Sequence, residues 1–292
     1  MTILVTGANG QLGTCIREAC PVTGDKYIFS DVGALAGQET LSLDITNPEA
    51  VRIVVDSEKV DAIVNCAAYT DVERAEGDPA MADLLNHQAV KQLAAICAEK
   101  DLLLVHISTD YVFPGNRPEP YREEDAVGPT GVYGATKLRG EQVIEKSGCR
   151  YLIFRTSWLY SPYGKNFVKT MVRLTAERDT LRVVYDQVGS PTYAGDLAEL
   201  IVKVLSGRKF PERDLYHFSG EGAVSWYDFA QAIAELCGHD CRIQPCRSAD
   251  YPSKVRRPAY SVLDKAKVKA AFGVEIPYWR DSLKKCLERL NP

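Results

Sequence analysis

Ile3-Leu4-Val5-Thr6-Gly7-Ala8-Asn9-Gly10-Gln11-Leu12-Gly13 decides the fold. An apolar run passes straight into three glycines spaced G-x-x-G-x-x-G, and a helical segment follows from Leu12 to Cys20, closed by Pro21. Strand, glycine turn and helix in that order meet the demands of a dinucleotide: a tight turn, close backbone approach to the pyrophosphate, and amides around Gly10–Leu12 aimed at the phosphates. Glycines also end strands with no ligand in view; their place between a strand and a helix favours the binding reading here. Asp31 ends the next apolar run 24 residues after Gly7. A carboxylate there accepts from the adenosine ribose 2′-OH, the plainer alternative being a solvated turn aspartate.

The pattern continues outward. Tyr27–Ser30, Thr40–Leu43, Ala62–Asn65, Leu102–Ile107 and Tyr151–Arg155 read as further strands, six with Ile3–Thr6. Helices separate most of them. Asn47 with Pro48 is a start signal, Asp78-Pro79 opens a long helix to about Lys100, and another begins near Val132. The near-continuous hydrophobicity of Leu102–Ile107 predicts burial on both faces. The fold class expected is α/β, a doubly wound parallel Rossmann sheet with a smaller mixed α/β substrate lobe. Residues 1–155 form the dinucleotide domain in this reading and 156–292 mainly the substrate lobe, with exchange of segments between them left open.

The composition sets bounds. Of 292 residues, 46% are hydrophobic and 25% charged, which suits a soluble globular chain and excludes wholesale disorder. Lys plus Arg total 35 against 39 Asp plus Glu, a net charge of −4 that speaks against nucleic-acid binding by bulk charge. No apolar run is long enough for a membrane span, and Met1–Gly7 lacks the basic start of a signal peptide, so a cytoplasmic location is expected. The nine cysteines are scattered, and Cys237, Cys241 and Cys246 lack the paired two-residue spacing of a zinc site. Neither a metal nor a disulfide is expected.

Chemistry-bearing residues gather past the strand ends. Ser108-Thr109-Asp110 follows the fifth strand, and Tyr133-Gly134-Ala135-Thr136-Lys137 sets a phenol and an ammonium at i and i+4 on one helix face. With 15 tyrosines such a pair arises by chance; its place on the ligand-binding side of the sheet gives it weight. The set fits carbonyl reduction. Tyr133 gives its proton to the carbonyl oxygen, Thr109 hydrogen-bonds that oxygen, and Lys137 lowers the phenol pKa and holds the nicotinamide ribose. The alternative is a surface lysine beside a half-buried tyrosine. Residues assigned to the cofactor are Gly7, Gly10, Gln11, Leu12, Asp31, Asp44, Ile45, Ala67, Ala68, Tyr69 and Thr70, with Tyr133 and Lys137. Asp44 is set against the adenine amine, and the small residues after Asn65 leave room for a cofactor across the sheet.

The glycine turn, Asn65-Cys-Ala-Ala68, the Thr109/Tyr133/Lys137 set and the length resemble the extended short-chain dehydrogenases/reductases. Gly10-Gln-Leu-Gly13, Asn65–Glu76, Ile107–Gly115, Arg155–Tyr160, Asp186–Thr192 and Arg257-Pro258 are closer still to the dTDP-4-dehydrorhamnose reductase family. The resemblance spans nearly the whole chain, and Ser108–Gly115 is its most specific piece. It implies NADPH- or NADH-dependent reduction of the 4-keto group of a dTDP-linked 4-keto-6-deoxy sugar, dTDP-6-deoxy-L-lyxo-4-hexulose, to dTDP-L-rhamnose. By the same likeness Thr109, Tyr133 and Lys137 are catalytic, and Val72, Thr109, Asp110, Tyr133 and Trp158 contact the substrate. Trp158 has core packing as its alternative. Arg256 and Arg257 are candidates for the substrate diphosphate or a solvated basic pair. Some family members join subunits through a metal held by glutamates, one at the position of Cys15 here, so no metal-linked dimer is expected and the chain is read as monomer or homodimer. Asp31 argues for NADH and the family for either nicotinamide; use of both is the reading adopted.

Two other functions stay in view. An epimerase or dehydratase of the same fold shares the turn and the tyrosine, but the C-terminal half is short for the first and Asp110-Tyr111 offers no glutamate for the second. A non-catalytic regulatory subunit, like the partner of methionine adenosyltransferase, has no chemical need for an intact Thr109/Tyr133/Lys137 set.

Overall fold

The computed structural model describes residues 1–290 except Pro252 and Lys254. β1 (Thr2–Thr6), α1 (Gln11–Ala19), β2 (Lys26–Asp31), β3 (Leu41–Ser42), α2 (Pro48–Glu58) and β4 (Ala62–Asn65) follow one another as strand and helix. Then come α3 (Val72–Gly77), α4 (Pro79–Asp83), a π-helical turn (Leu84–Gln88), α5 (Ala89–Lys100), β5 (Leu103–Thr109), α6 (Val132–Lys146) and β6 (Arg150–Thr156). Asn47 caps α2 by accepting from the Ala50 amide at 3.2 Å, with Pro48 at the first helical position.

Alternate residues of each strand serve opposite layers. Ile3 and Val5, Leu103 and Val105, Leu152 and Phe154 pack with α1, whereas Leu4, Ile63, Leu104 and Ile153 pack with α2, α5 and Ile144 of α6. Both faces are therefore buried, which is why these strands read as unbroken apolar runs rather than as alternating ones.

The sheet has seven parallel strands, one more than the sequence predicts, in the order β11-β6-β5-β4-β1-β2-β3. The extra strand comes from the second half. There the chain runs through β7 (Leu159–Tyr160), α7 (Phe167–Glu177), β8 (Thr180–Val184), β9 (Val188–Gly189) and β10 (Thr192–Tyr193). It then returns through α8 (Ala194–Gly207), which packs on α1, to edge strand β11 (Arg213–His217). The lobe resumes with β12 (Val224–Ser225), α9 (Trp226–Cys237) and β13 (Arg242–Cys246); α10 (Ala266–Phe272) then returns to pack its Val268 and Phe272 on the sheet core beside β11, and α11 (Trp279–Leu290) closes the lobe. α7, α9 and α11 share a second core around Phe229 and Leu283, and β13 pairs β8 in parallel.

Two other expectations change. The strand predicted at Thr40–Leu43 shortens to β3, because Leu41 lies exposed on the sheet edge with no apolar layer to hold it. The single helix predicted from Asp78 to Lys100 is interrupted at Leu84–Gln88, where the widened turn carries the buried Asn86. Its amide nitrogen donates to the Tyr69 carbonyl at 3.0 Å and to Thr136 Oγ1 at 3.1 Å, and its oxygen accepts from the Tyr69 amide at 2.9 Å. Among the described residues no helix is long and apolar enough to cross a membrane.

Candidate active site

Strand order reverses direction between β1 and β4, so a crevice opens beyond their carboxyl ends, where open α/β sheets bind ligands. A cavity of about 700 Å³ occupies it. The glycine turn forms one wall. Gly7 has φ +63°, and a side chain there would put Cβ 2.5 Å from the Ala67 amide nitrogen; only glycine allows β1 and the segment after β4 to approach so closely. Gly10 is the N-cap of α1 and supplies no side-chain cap, leaving the first-turn amides to a ligand. Such a cradle fits a pyrophosphate.

Asp31 lies at the far end. Its carboxylate accepts from the amides of Asn9 at 3.0 Å and Val32 at 2.8 Å, which fixes its orientation beside the cavity. Asp44, Ile45, Ala67, Ala68 and Thr70 also line the space. Tyr69 does not: both its backbone groups are bound by Asn86, and its hydroxyl is buried without a partner.

The opposite wall comes from β5 and α6. Thr109, Asp110, Tyr133 and Lys137 meet on it. The Thr109 hydroxyl donates to Asp110 Oδ1 at 3.0 Å and accepts from the Tyr111 amide at 3.2 Å. Asp110 is buried, its Oδ2 has no partner, and burial raises its carboxyl to about 6 against hydrogen bonds from Ser261 and Thr109 that pull the other way. Lys137 is also buried; its Nζ donates to the Ile107 carbonyl at 2.6 Å, and burial lowers its pKa to about 8 while Glu141 and Cys66 oppose the shift.

Burial pushes the Tyr133 phenol well above its ordinary value, Thr109 counters through a hydrogen bond, and Asp110 and Tyr111 push it higher. The expected lowering of this pKa by Lys137 is not what the geometry produces. Two of the ammonium's donors are taken up on β5, by the Ile107 carbonyl and His106, and desolvation of the phenolate is the larger effect.

Val72 and Trp158 complete the predicted substrate set along the cavity. Trp158, at φ +49°, packs against the lobe core and also faces the cleft, so the packing and binding readings both describe it. Its ring stacks on Trp226 with centroids 3.5 Å apart and planes 5° apart. Trp226, at the start of α9, escaped sequence reasoning; the Ser225-x-x-Asp228 capping box marks the helix start but not which cavity it faces. Trp226 and Arg257 also line a second cavity of about 690 Å³, with Arg182, Gln187, Ser248 and Arg256. Arg257 pairs with Glu73 at 3.3 Å, and Arg256 is exposed. Among the described residues no cluster of His, Cys, Asp or Glu is arranged to hold a metal ion, and all nine cysteines are free.

Known proteins place this architecture in context. At 40% identity over 292 residues, covering 97% of each chain, the protein is similar to a dTDP-4-dehydrorhamnose reductase of Aggregatibacter actinomycetemcomitans. Two crystal structures of dTDP-4-dehydrorhamnose reductases superpose closely. The one from Clostridium acetobutylicum gives a TM-score of 0.93 at 39% identity over the full length of both chains. The one from Bacillus anthracis, solved with NADP, gives 0.89 at 36% identity, covering 99% of both. A UDP-glucose 4-epimerase of Thermus thermophilus shares the fold at 21% identity. With residues 1–291 matching the model described as the RmlD substrate binding domain, the chain belongs to that family.

Proposed function

We propose that this protein reduces the 4-keto group of dTDP-6-deoxy-L-lyxo-4-hexulose, giving dTDP-L-rhamnose, with NADPH or NADH. The observation that carries the reading is the shared wall: Thr109, Asp110, Tyr133 and Lys137 face one cavity, with the glycine cradle across from them. The names of the relatives support the choice of substrate.

Gly7, Gly10, Gln11 and Leu12 would hold the cofactor's pyrophosphate, and Asp31, Asp44 and Ile45 its adenosine end. The reduced nicotinamide would supply the hydride for the ketone carbon. Tyr133 delivers its proton to the ketone oxygen, so that C=O becomes CH–OH, and the phenolate regains a proton from solvent. A raised phenol pKa keeps Tyr133 protonated at neutral pH, and the alkoxide forming on the sugar is far more basic than a phenolate. Thr109 hydrogen-bonds the same oxygen. Lys137 binds the nicotinamide ribose, and the unpartnered Asp110 Oδ2 accepts from a sugar hydroxyl. Trp158 and Val72 border the sugar, while the neighbouring cavity, with Arg256 and Arg257, takes the nucleoside diphosphate. In this division the parallel sheet serves the cofactor and the segments around it serve the sugar nucleotide.

The test couples dTDP-4-keto-6-deoxyglucose and its 3,5-epimerase to loss of nicotinamide absorbance. Oxidation that requires the epimerase is expected with both NADH and NADPH. Tyr133→Phe should lower kcat by at least about a hundredfold, the lower bound for losing a positioned proton donor, while binding the cofactor as before. Retained turnover in that variant refutes the proton-donor role.

A further inference from the structure

Directly beneath the cleft lies a fully buried histidine that the proposed reaction does not use. Thr6, Asn65 and His106 occupy laterally paired positions on β1, β4 and β5, so their side chains form a row across three adjacent strands. The Thr6 hydroxyl is 2.7 Å from one end of the Asn65 amide, and the other end is 3.2 Å from His106 Nδ1. His106 Nε2 in turn lies 3.3 Å from Lys137 Nζ. The row thus ends on the amine that faces the cofactor cavity.

The chemistry of these groups fixes their roles. An ammonium has three N–H donors and no lone pair, so His106 Nε2 is the acceptor and the ring proton sits on Nδ1. The Asn65 amide then turns its oxygen to the ring and its NH2 to Thr6, an exchange of two ends alike in shape that leaves the distances unchanged. Burial and the neighbouring Lys137 charge hold His106 far below the usual histidine range, so the ring is neutral and able to accept. The other ionisable groups acting on Lys137 are Glu141, one turn further along α6, and Cys66 after β4. With one N–H on the Ile107 carbonyl and a second on His106, rotation about the Cε–Nζ bond is removed and the third N–H has one direction left, into the cavity.

We propose that His106 is a positioning residue for Lys137: held by Asn65 and Thr6, it fixes the ammonium so that its free N–H meets the ribose of the bound dinucleotide. The proposal rests on the reading that Lys137 binds that ribose.

Two substitutions separate the halves of the row. Glutamine at 106 sets its amide near the position of Nε2 and keeps an acceptor for Lys137, whereas asparagine reaches only the position of Nδ1 and keeps Asn65 alone. NADPH dissociation constants, measured by fluorescence titration, and steady-state kcat and KM are compared for His106→Gln, His106→Asn, Lys137→Met and the Asn/Met double variant. His106→Asn is expected to weaken NADPH binding by about tenfold to a hundredfold, the range for losing a hydrogen bond to a charged group. His106→Gln should recover most of that loss. In the Lys137→Met background the Asn change should add less than about twofold, because its effect passes through the missing amine. Equal losses in the Gln and Asn variants, additive losses in the double variant, or a Lys137→Met protein that binds NADPH like the parent would each overturn the proposal. Absence of dTDP-ketone reduction in the parent protein would refute the substrate reading alone, since the binding cycle still decides the role of His106.

Discussion

Glu141→Leu is the most revealing single change for stability. The Glu141 carboxylate receives Arg155 Nε at 2.9 Å and Nη2 at 2.7 Å, and Ser108 Oγ donates to it as well. The Arg155 and Glu141 side chains are 5% and 2% exposed. Without the carboxylate, Arg155 keeps the Glu123 carbonyl at 3.3 Å, the His217 ring at 3.4 Å and the face of Phe113 at 5.0 Å. None of these is a counter-charge; burial keeps His217 neutral, its pKa lowered to about 3, so it adds no second cation, and Glu145 acts on Arg155 through its charge without forming an ion pair. Removing one partner of a buried bidentate pair costs about 3–5 kcal/mol, most of it for the stranded charge. Unfolding entropy of about 2.1 cal/mol/K per residue converts that to a fall in Tm of roughly 5–8 °C for a chain of this length. Urea unfolding followed by circular dichroism would be measured for Glu141→Leu, Arg155→Met and the double variant. The double variant should be more stable than either single one, because it leaves no unpaired charge. Single variants costing less than about 1 kcal/mol, or a double variant costing the sum, would refute the reasoning.

Other outcomes follow from the same wall of the site. Gly134→Ala would place Cβ 2.2 Å from the Tyr111 carbonyl oxygen, a backbone atom that cannot step aside, one residue from Tyr133. Overpacking of about 1–3 kcal/mol should exceed the helix preference for alanine, with turnover falling too; a variant more stable than the parent in urea contradicts this. Asp110, with a folded pKa of about 6 against 3.8 for the free group, binds more protons folded than unfolded between those values. Stability should therefore fall as pH rises through that window, by up to about 1.4 kcal/mol per unit, and Asp110→Asn should flatten the fall. Identical urea midpoints against pH in the two proteins would sink that assignment.

The sheet was legible because its signals are local. Ile3–Thr6 before Gly7, the Asn47-Pro48 start and the i, i+4 spacing of Tyr133 and Lys137 each act within a few residues. What escaped depends on distant partners. Nothing in Arg213–His217 says that it pairs with β6, since that follows from where α8 packs on α1. Tyr69 sits among true cleft residues in sequence, yet Asn86, 17 positions on, decides which way its backbone turns. Trp226 lines the cleft through packing against Trp158 and Phe167, residues far from it in sequence. The lowering of the Tyr133 pKa by Lys137 that the spacing predicts fails for a related reason: spacing gives proximity, but burial sets the cost of a phenolate, and burial is a property of the assembled fold.

The π-helical turn at Leu84–Gln88 constrains how this protein can change. A turn with one residue more than an α-helix rotates everything after it by about a quarter of a revolution. Asn86 sits in that turn, clamping the loop after β4 to Thr136, and Gly140 leaves space for its carbonyl, 2.3 Å from where a Cβ would stand. Deleting one residue to regularise the helix would gain a standard hydrogen-bond ladder and swing either Asn86 or the buried face of α5 out of register. The irregularity is thus a fixed joint between the loop after β4 and α6, and chain-length variation in this region has to be accommodated outside it.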